Sequence, residues 1–94
     1  MHYTVNRCQL AELEGLAHHV ADLNYMRERF GESEPELTRA RDSVSFCLDQ
    51  CDACGVPFWV QNVVIGWAAE WRNTLRGTTA AALQCKGIAI VMEV

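Results

Sequence analysis

The 94-residue sequence contains no glycine-rich phosphate loop, no GxSxG elbow and no HExxH pair. The common short signatures of phosphoryl transfer, acyl transfer and metalloproteolysis are therefore missing. A run of about 20 apolar residues is also lacking, because Gln61, Asn62, Glu70 and Arg72 interrupt the most apolar stretches; no bilayer-spanning helix is expected. The opening MHYTVNRCQLAELE has neither the basic start, the apolar run nor the small-residue cleavage site of a secretory signal, which leads to the expectation of a cytoplasmic protein. No repeat, low-complexity tract or linker divides the chain, so residues 1–94 are expected to form one domain. A domain of this length buries only about 60–65% of the surface of its unfolded chain, and self-association would add to that.

Positive charge is scarce in the first half. Residues 1–54 carry ten acids against five arginines, residues 55–94 two acids against three bases, and the net charge is −4. Acidity of this kind repels phosphate and supplies no counterion release, so direct nucleic-acid binding is disfavoured. With the sign reversed, the same electrostatics suits an acidic face that occupies a basic, nucleic-acid-handling protein. Solvated helix faces are the plainer explanation.

What is present is helical punctuation. Asn6 followed three residues later by Gln9 reads as a helix N-cap with a capping box, and Val5 with Leu10 as the hydrophobic staple around it. From there Leu10, Leu13, Leu16, Ala17, Val20, Leu23, Met26 and Phe30 recur at three- and four-residue spacing up to Gly31. Ser33 and Glu36 repeat the capping logic, with Pro35 tolerated in the first turn. The second stripe is Leu37, Ala40, Val44, Cys47, Leu48, Cys51 and Cys54, ending at Gly55. Pro57 suits the first turn of a third helix, expected to run to Gly77 with Val60, Val64, Trp67, Trp71 and Leu75 inward; the β-branched run Val63–Ile65 leaves a buried strand over 58–65 as the competitor. Because Phe58, Trp59, Ile65 and Ala69 spread apolar character around this helix, it must be central or at an interface. Thr78 or Thr79 caps a short fourth helix that Gly87 stops. GIAIVMEV then reads as a strand with Ile88, Ile90, Met92 and Val94 on one face, pairing with a short N-terminal strand at Tyr3–Val5. The architecture expected is mainly α: a small bundle of three main helices and one short one, with a minor two-stranded β element from the two terminal segments.

Five cysteines and no export signal argue for reduced thiols. Cys47, Cys51 and Cys54, spaced C-x3-C-x2-C, resemble the motif by which radical S-adenosylmethionine enzymes hold an iron-sulfur cluster. That resemblance covers eight residues. Ala53 stands where those enzymes place an aromatic, and the chain is too short for their α/β barrel, so no cluster is inferred. At about 100° per residue the three thiols continue the apolar face of the second helix, and core packing is the expected role. Zinc, completed by Cys8, Cys85, His18 or His19, is the alternative, followed by redox use of Cys51 and Cys54.

Glu14, His18 and Asp22 share one face of the first helix and offer a metal two carboxylates and an imidazole, although a solvated face is the plainer reading. His19 lies nearer the core. Trp67 and Trp71 belong to the inward stripe, whereas Trp59 falls off it beside Phe58, as a contact residue would.

The function these features favour is a non-enzymatic protein–protein interaction module. It would be an acidic inhibitor or adaptor, homodimeric, acting on a basic, nucleic-acid-handling protein, with no membrane contact and no cofactor. Its partner-binding residues would be Trp59, Phe58, Glu28, Glu32, Glu34, Glu36, Ile90 and Met92. The alternatives are a zinc-binding or thiol redox sensor through Cys47, Cys51 and Cys54, and a small helical metal-dependent enzyme on Glu14, His18 and Asp22.

Overall fold

Asn6 closes a strand and opens a helix. In the computed structural model, which describes residues 3–32 and 35–91, β1 spans Tyr3–Asn6 and α1 spans Arg7–Phe30. The Asn6 side-chain oxygen accepts from the Gln9 N–H at 2.8 Å, and the Gln9 side-chain oxygen accepts from the Asn6 N–H at 3.0 Å. Both halves of the expected capping box are therefore made. The stripe from Leu10 to Leu23 is buried. Phe30, expected to continue it, is 54% exposed, because the 24-residue helix outruns the core it covers. Gly31 ends α1 at φ 81°, a left-handed conformation that favours glycine, and its N–H returns to the Arg27 carbonyl at 3.0 Å.

The second helix, α2, spans Pro35–Ala53 and runs antiparallel to α1. The Gln9 amide nitrogen donates to the Cys54 carbonyl at 3.1 Å, joining the start of α1 to the end of α2; Arg41 donates to Glu32 at 3.1 Å near the opposite end. Leu37, Cys47 and Cys51 are buried against α1, as the stripe requires. Ser33, Glu34, Met92 and Val94 lie outside the described residues.

At the end of α2 the Val56 N–H bonds the Cys51 carbonyl at 2.9 Å and the Gly55 N–H bonds that of Asp52 at 3.1 Å, with Gly55 at φ 82°. This pair of reversed bonds is the Schellman closure, and its usual apolar contact is supplied by buried Cys51 and Val56. Pro57 is the N-cap of the next helix, one position earlier than a first-turn proline. Gln61, only 1% exposed, donates from its amide nitrogen to Asp52 at 2.7 Å and to the Val56 carbonyl at 2.9 Å.

Residues 58–65 are helical, but the single helix expected to reach Gly77 is two. The first, α3, spans Phe58–Ala68, and α4 spans Trp71–Arg76. Glu70 leaves the helical region at φ −94°, ψ 93°, and Asn73 donates its side-chain amide to the freed Trp67 carbonyl at 3.3 Å. The break turns Trp71 onto α1. Its ring meets Tyr25 edge-on at 5.0 Å, its indole N–H donates to Glu28, and the Arg72 guanidinium lies 4.6 Å from its centroid. In consequence Trp67 and Trp71 are half-buried rather than core, and Leu75 is 74% exposed.

Thr78 caps α5 (Thr79–Cys85) by accepting from the Ala81 N–H at 3.1 Å, and Gly87 at φ 79° turns the chain into β2 (Ile88–Val91). The strands are parallel, with Tyr3 opposite Ile88 and Val5 opposite Ile90, so the helices between them form the crossover that parallel pairing demands. Val5 and Ile88 join Leu13, Leu16, Cys51, Val60, Val64 and Leu83 in the core. No helix among the described residues is long and apolar enough to cross a membrane.

Replacing Gln61 with leucine, of similar volume, leaves the buried Val56 carbonyl without its donor. The Gln61→Leu chain is expected to lose about 1–3 kcal/mol of unfolding free energy, read as a lower urea midpoint at unchanged slope; an unaltered midpoint would refute the role given to this corner.

Candidate interaction groove

The break after α3 leaves one face of that helix uncovered. Trp59, Asn62, Val63, Gly66 and Trp67 follow one another at helical spacing and form a wall. The opposite wall comes from α5 and the residues flanking it: Thr78, Ala81, Ala82, Cys85 and Lys86. Between them runs an open groove of about 690 Å³. The two helices that build it, Phe58–Ala68 and Thr79–Cys85, contain no charged residue, and Lys86 at its end is the only lysine in the chain. Trp59 is 41% exposed and held edge-to-face against Tyr3 at 5.6 Å. Phe58 is 70% exposed, beside the groove mouth in sequence. The sequence signal for this site was the excess of apolar character around the third helix; the contribution of α5 had none, because alanines and threonines in a short amphipathic helix read as ordinary filler.

The remaining partner-binding residues are dispersed. Glu28 accepts from the Trp71 indole and lies 3.3 Å from Arg72; the indole hydrogen bond first, and then the guanidinium, hold its carboxyl below the usual range. Glu32 stands 3.0 Å from the Arg27 Nε, a charge contact without hydrogen-bond alignment, and 3.1 Å from Arg41. Glu36 is exposed in the first turn of α2. Ile90 is half-buried against the core cluster. The structure therefore groups Trp59 with the groove, pairs Glu28 and Glu32 within the chain, and leaves Glu36 and Ile90 apart from both.

The cysteines divide by exposure: Cys8 and Cys85 are exposed, Cys54 is half-buried, and Cys47 and Cys51 are buried, all as free thiols. Burial is the main force raising the pKa values of Cys47, Cys51 and Cys54, with Glu12 adding repulsion, and Cys51 is pushed up to about 12. A thiol so held is a poor nucleophile and gives up its proton to a metal reluctantly. The Cys54 thiol donates to the Cys51 carbonyl at 3.5 Å, completing a local contact at the helix end. Among the described residues no group of three or more His, Cys, Asp or Glu side chains is placed to share a metal ion. On α1, His18 Nε2 lies 3.3 Å from Asp22, both exposed, with Glu14 and His18 bordering a separate shallow hollow. Compared with protein-family models, curated proteins and solved structures, the chain matches none.

Two thiol experiments follow. At neutral pH iodoacetamide is expected to modify Cys8 and Cys85 rapidly and Cys47 and Cys51 only on unfolding; rapid loss of all five thiols would contradict the packing. Because the folded Cys51 thiol titrates near 12 and an unfolded one near 9.0, the unfolded chain binds fewer protons above pH 9.0. Stability conferred by the neutral thiol is complete below that value and is lost as the pH rises toward about 12. The urea midpoint should fall over that range, and less steeply for Cys51→Ala; parallel slopes would rule out the assignment.

Proposed function

We propose that this protein is a non-enzymatic protein-interaction module whose contact face is the groove between α3 and α5. The observation that carries the reading is an open, largely apolar trough at the surface, uncharged except for Lys86 at its end. An exposed apolar surface of this kind costs solubility and marks a contact site in soluble proteins. Open along its length, the trough would cover one side of an occupant, which suits a helix better than a small molecule that needs to be enclosed. Trp59 and Trp67 are the residue type most enriched at binding hot spots, and they stand at the two ends of the α3 wall.

The acidic-inhibitor form of the reading has less behind it, because Glu28 and Glu32 are neutralised by Arg72, Arg27 and Arg41 of the same chain. The zinc alternative rests on cysteine spacing alone.

A photoreactive benzophenone side chain in place of exposed Asn62 tests the proposal. In cells, irradiation is expected to yield adducts of protein size from position 62 and none from exposed Ser45 on α2. Adducts from a benzophenone at Glu36 but none at 62 would move the contact to the acidic end, and no protein adduct from either would end the interaction reading.

A further inference from the structure

Building on the proposed contact face, we infer that the occupant of the groove is a second copy of this chain, docked about a two-fold axis near Val63 that sets the two α3 helices antiparallel. Charge is the first argument. Each chain carries a net −4, so most pairs of faces repel when two copies approach. The stretch from Ala53 to Ala69 has no charged residue, nor has Gly77 to Cys85. Apart from Lys86 at its end, the walls of the groove are thus where two identical acidic chains meet without placing like charges together.

Shape is the second. Along α3 the groove-facing residues run large, small, large: Trp59, then Asn62, Val63 and Gly66, then Trp67. An antiparallel two-fold maps position 59 onto 67 across Val63, so Trp59 of each copy meets Trp67 of the other at the two ends of the seam. The same residues then face one another from both copies, as an isologous contact requires. Ala81 and Ala82 on α5 leave the depth that an indole from the second copy would occupy.

Size is the third. The face is as long as the 11-residue α3, about 16 Å, and two helices wide, so docking would bury on the order of 1,000 Å² in all. That is the lower end for specific interfaces, and it describes a reversible dimer of protomers that each fold alone.

Gly66 supplies the test. It is an exposed glycine inside a helix, and a Cβ built there meets nothing within 4 Å. In the isolated chain Gly66→Glu and Gly66→Arg therefore favour the helix and should raise the melting temperature; in the dimer they set a charge within the seam, one helical turn from the axis. Sedimentation velocity from about 1 to about 300 μM should show the native chain passing from monomer to dimer, with both variants weakening association by about tenfold or more. Ser45→Glu, exposed on α2, should associate as the native chain does. A native chain that stays monomeric throughout, or a dimer indifferent to both Gly66 variants, would overturn the inference. In either case cross-links from position 62 to a different protein would keep the interaction reading while removing the second copy from it.

Discussion

The reversal of the chain between Cys51 and Val56 is the constraint on which the rest of the molecule depends. Three segments meet there. The Val56 N–H closes α2 on the Cys51 carbonyl, Gln9 ties the start of α1 to the Cys54 carbonyl, and Gln61 reaches back from α3 to Val56 and Asp52. The bonds to Cys51, Cys54 and Val56 satisfy backbone carbonyls at or just past the end of α2, and the Asp52 carboxylate takes the remaining one. Together they fix the direction in which α3 departs. Val60 and Val64 are then held against the core, and the Trp59–Trp67 face is turned outward.

The same corner explains the cysteines without assigning them chemistry. Cys51 is the residue whose carbonyl receives the closing bond and whose side chain packs under Val56, so a small apolar group is needed at that place. Burial then raises its pKa, which disfavours the reactive thiolate as a consequence of packing. A spacing that resembles a cluster motif thus arises from a helix that needs small side chains on one face near its end.

The second half of the chain is organised by a break. Had α3 continued, Trp71 would have remained on the Trp67 stripe. Instead Glu70 leaves the helix, and the Trp71 indole is held by Tyr25, Glu28 and Arg72 on the flank of α1 and α4. An aromatic edge contact, a hydrogen bond to a carboxylate and a cation over the ring together offset the helical continuity lost at Glu70. The detour leaves room for α5 beside α3, and β2 is delivered parallel to β1. The groove between α3 and α5 and the exposure of Leu75 both accompany that turn.

Local signals determined a good part of this from the amino-acid order alone. The Asn6–Gln9 capping box, the stripes of α1 and α2, the Gly55 and Gly87 stops, and the mainly helical class with a small terminal β element depend on neighbours a few residues apart, which sequence periodicity reports directly. Trp59 was also legible as a residue off the core stripe. Only the tertiary structure decided the break at Glu70, because Trp71 leaves its stripe for Tyr25 and Glu28, more than 40 positions away. It likewise decided that Glu28 and Glu32 answer arginines of the same chain and that α3 and α5 face each other across a groove. Those outcomes rest on long-range contacts, whose energies no local pattern encodes.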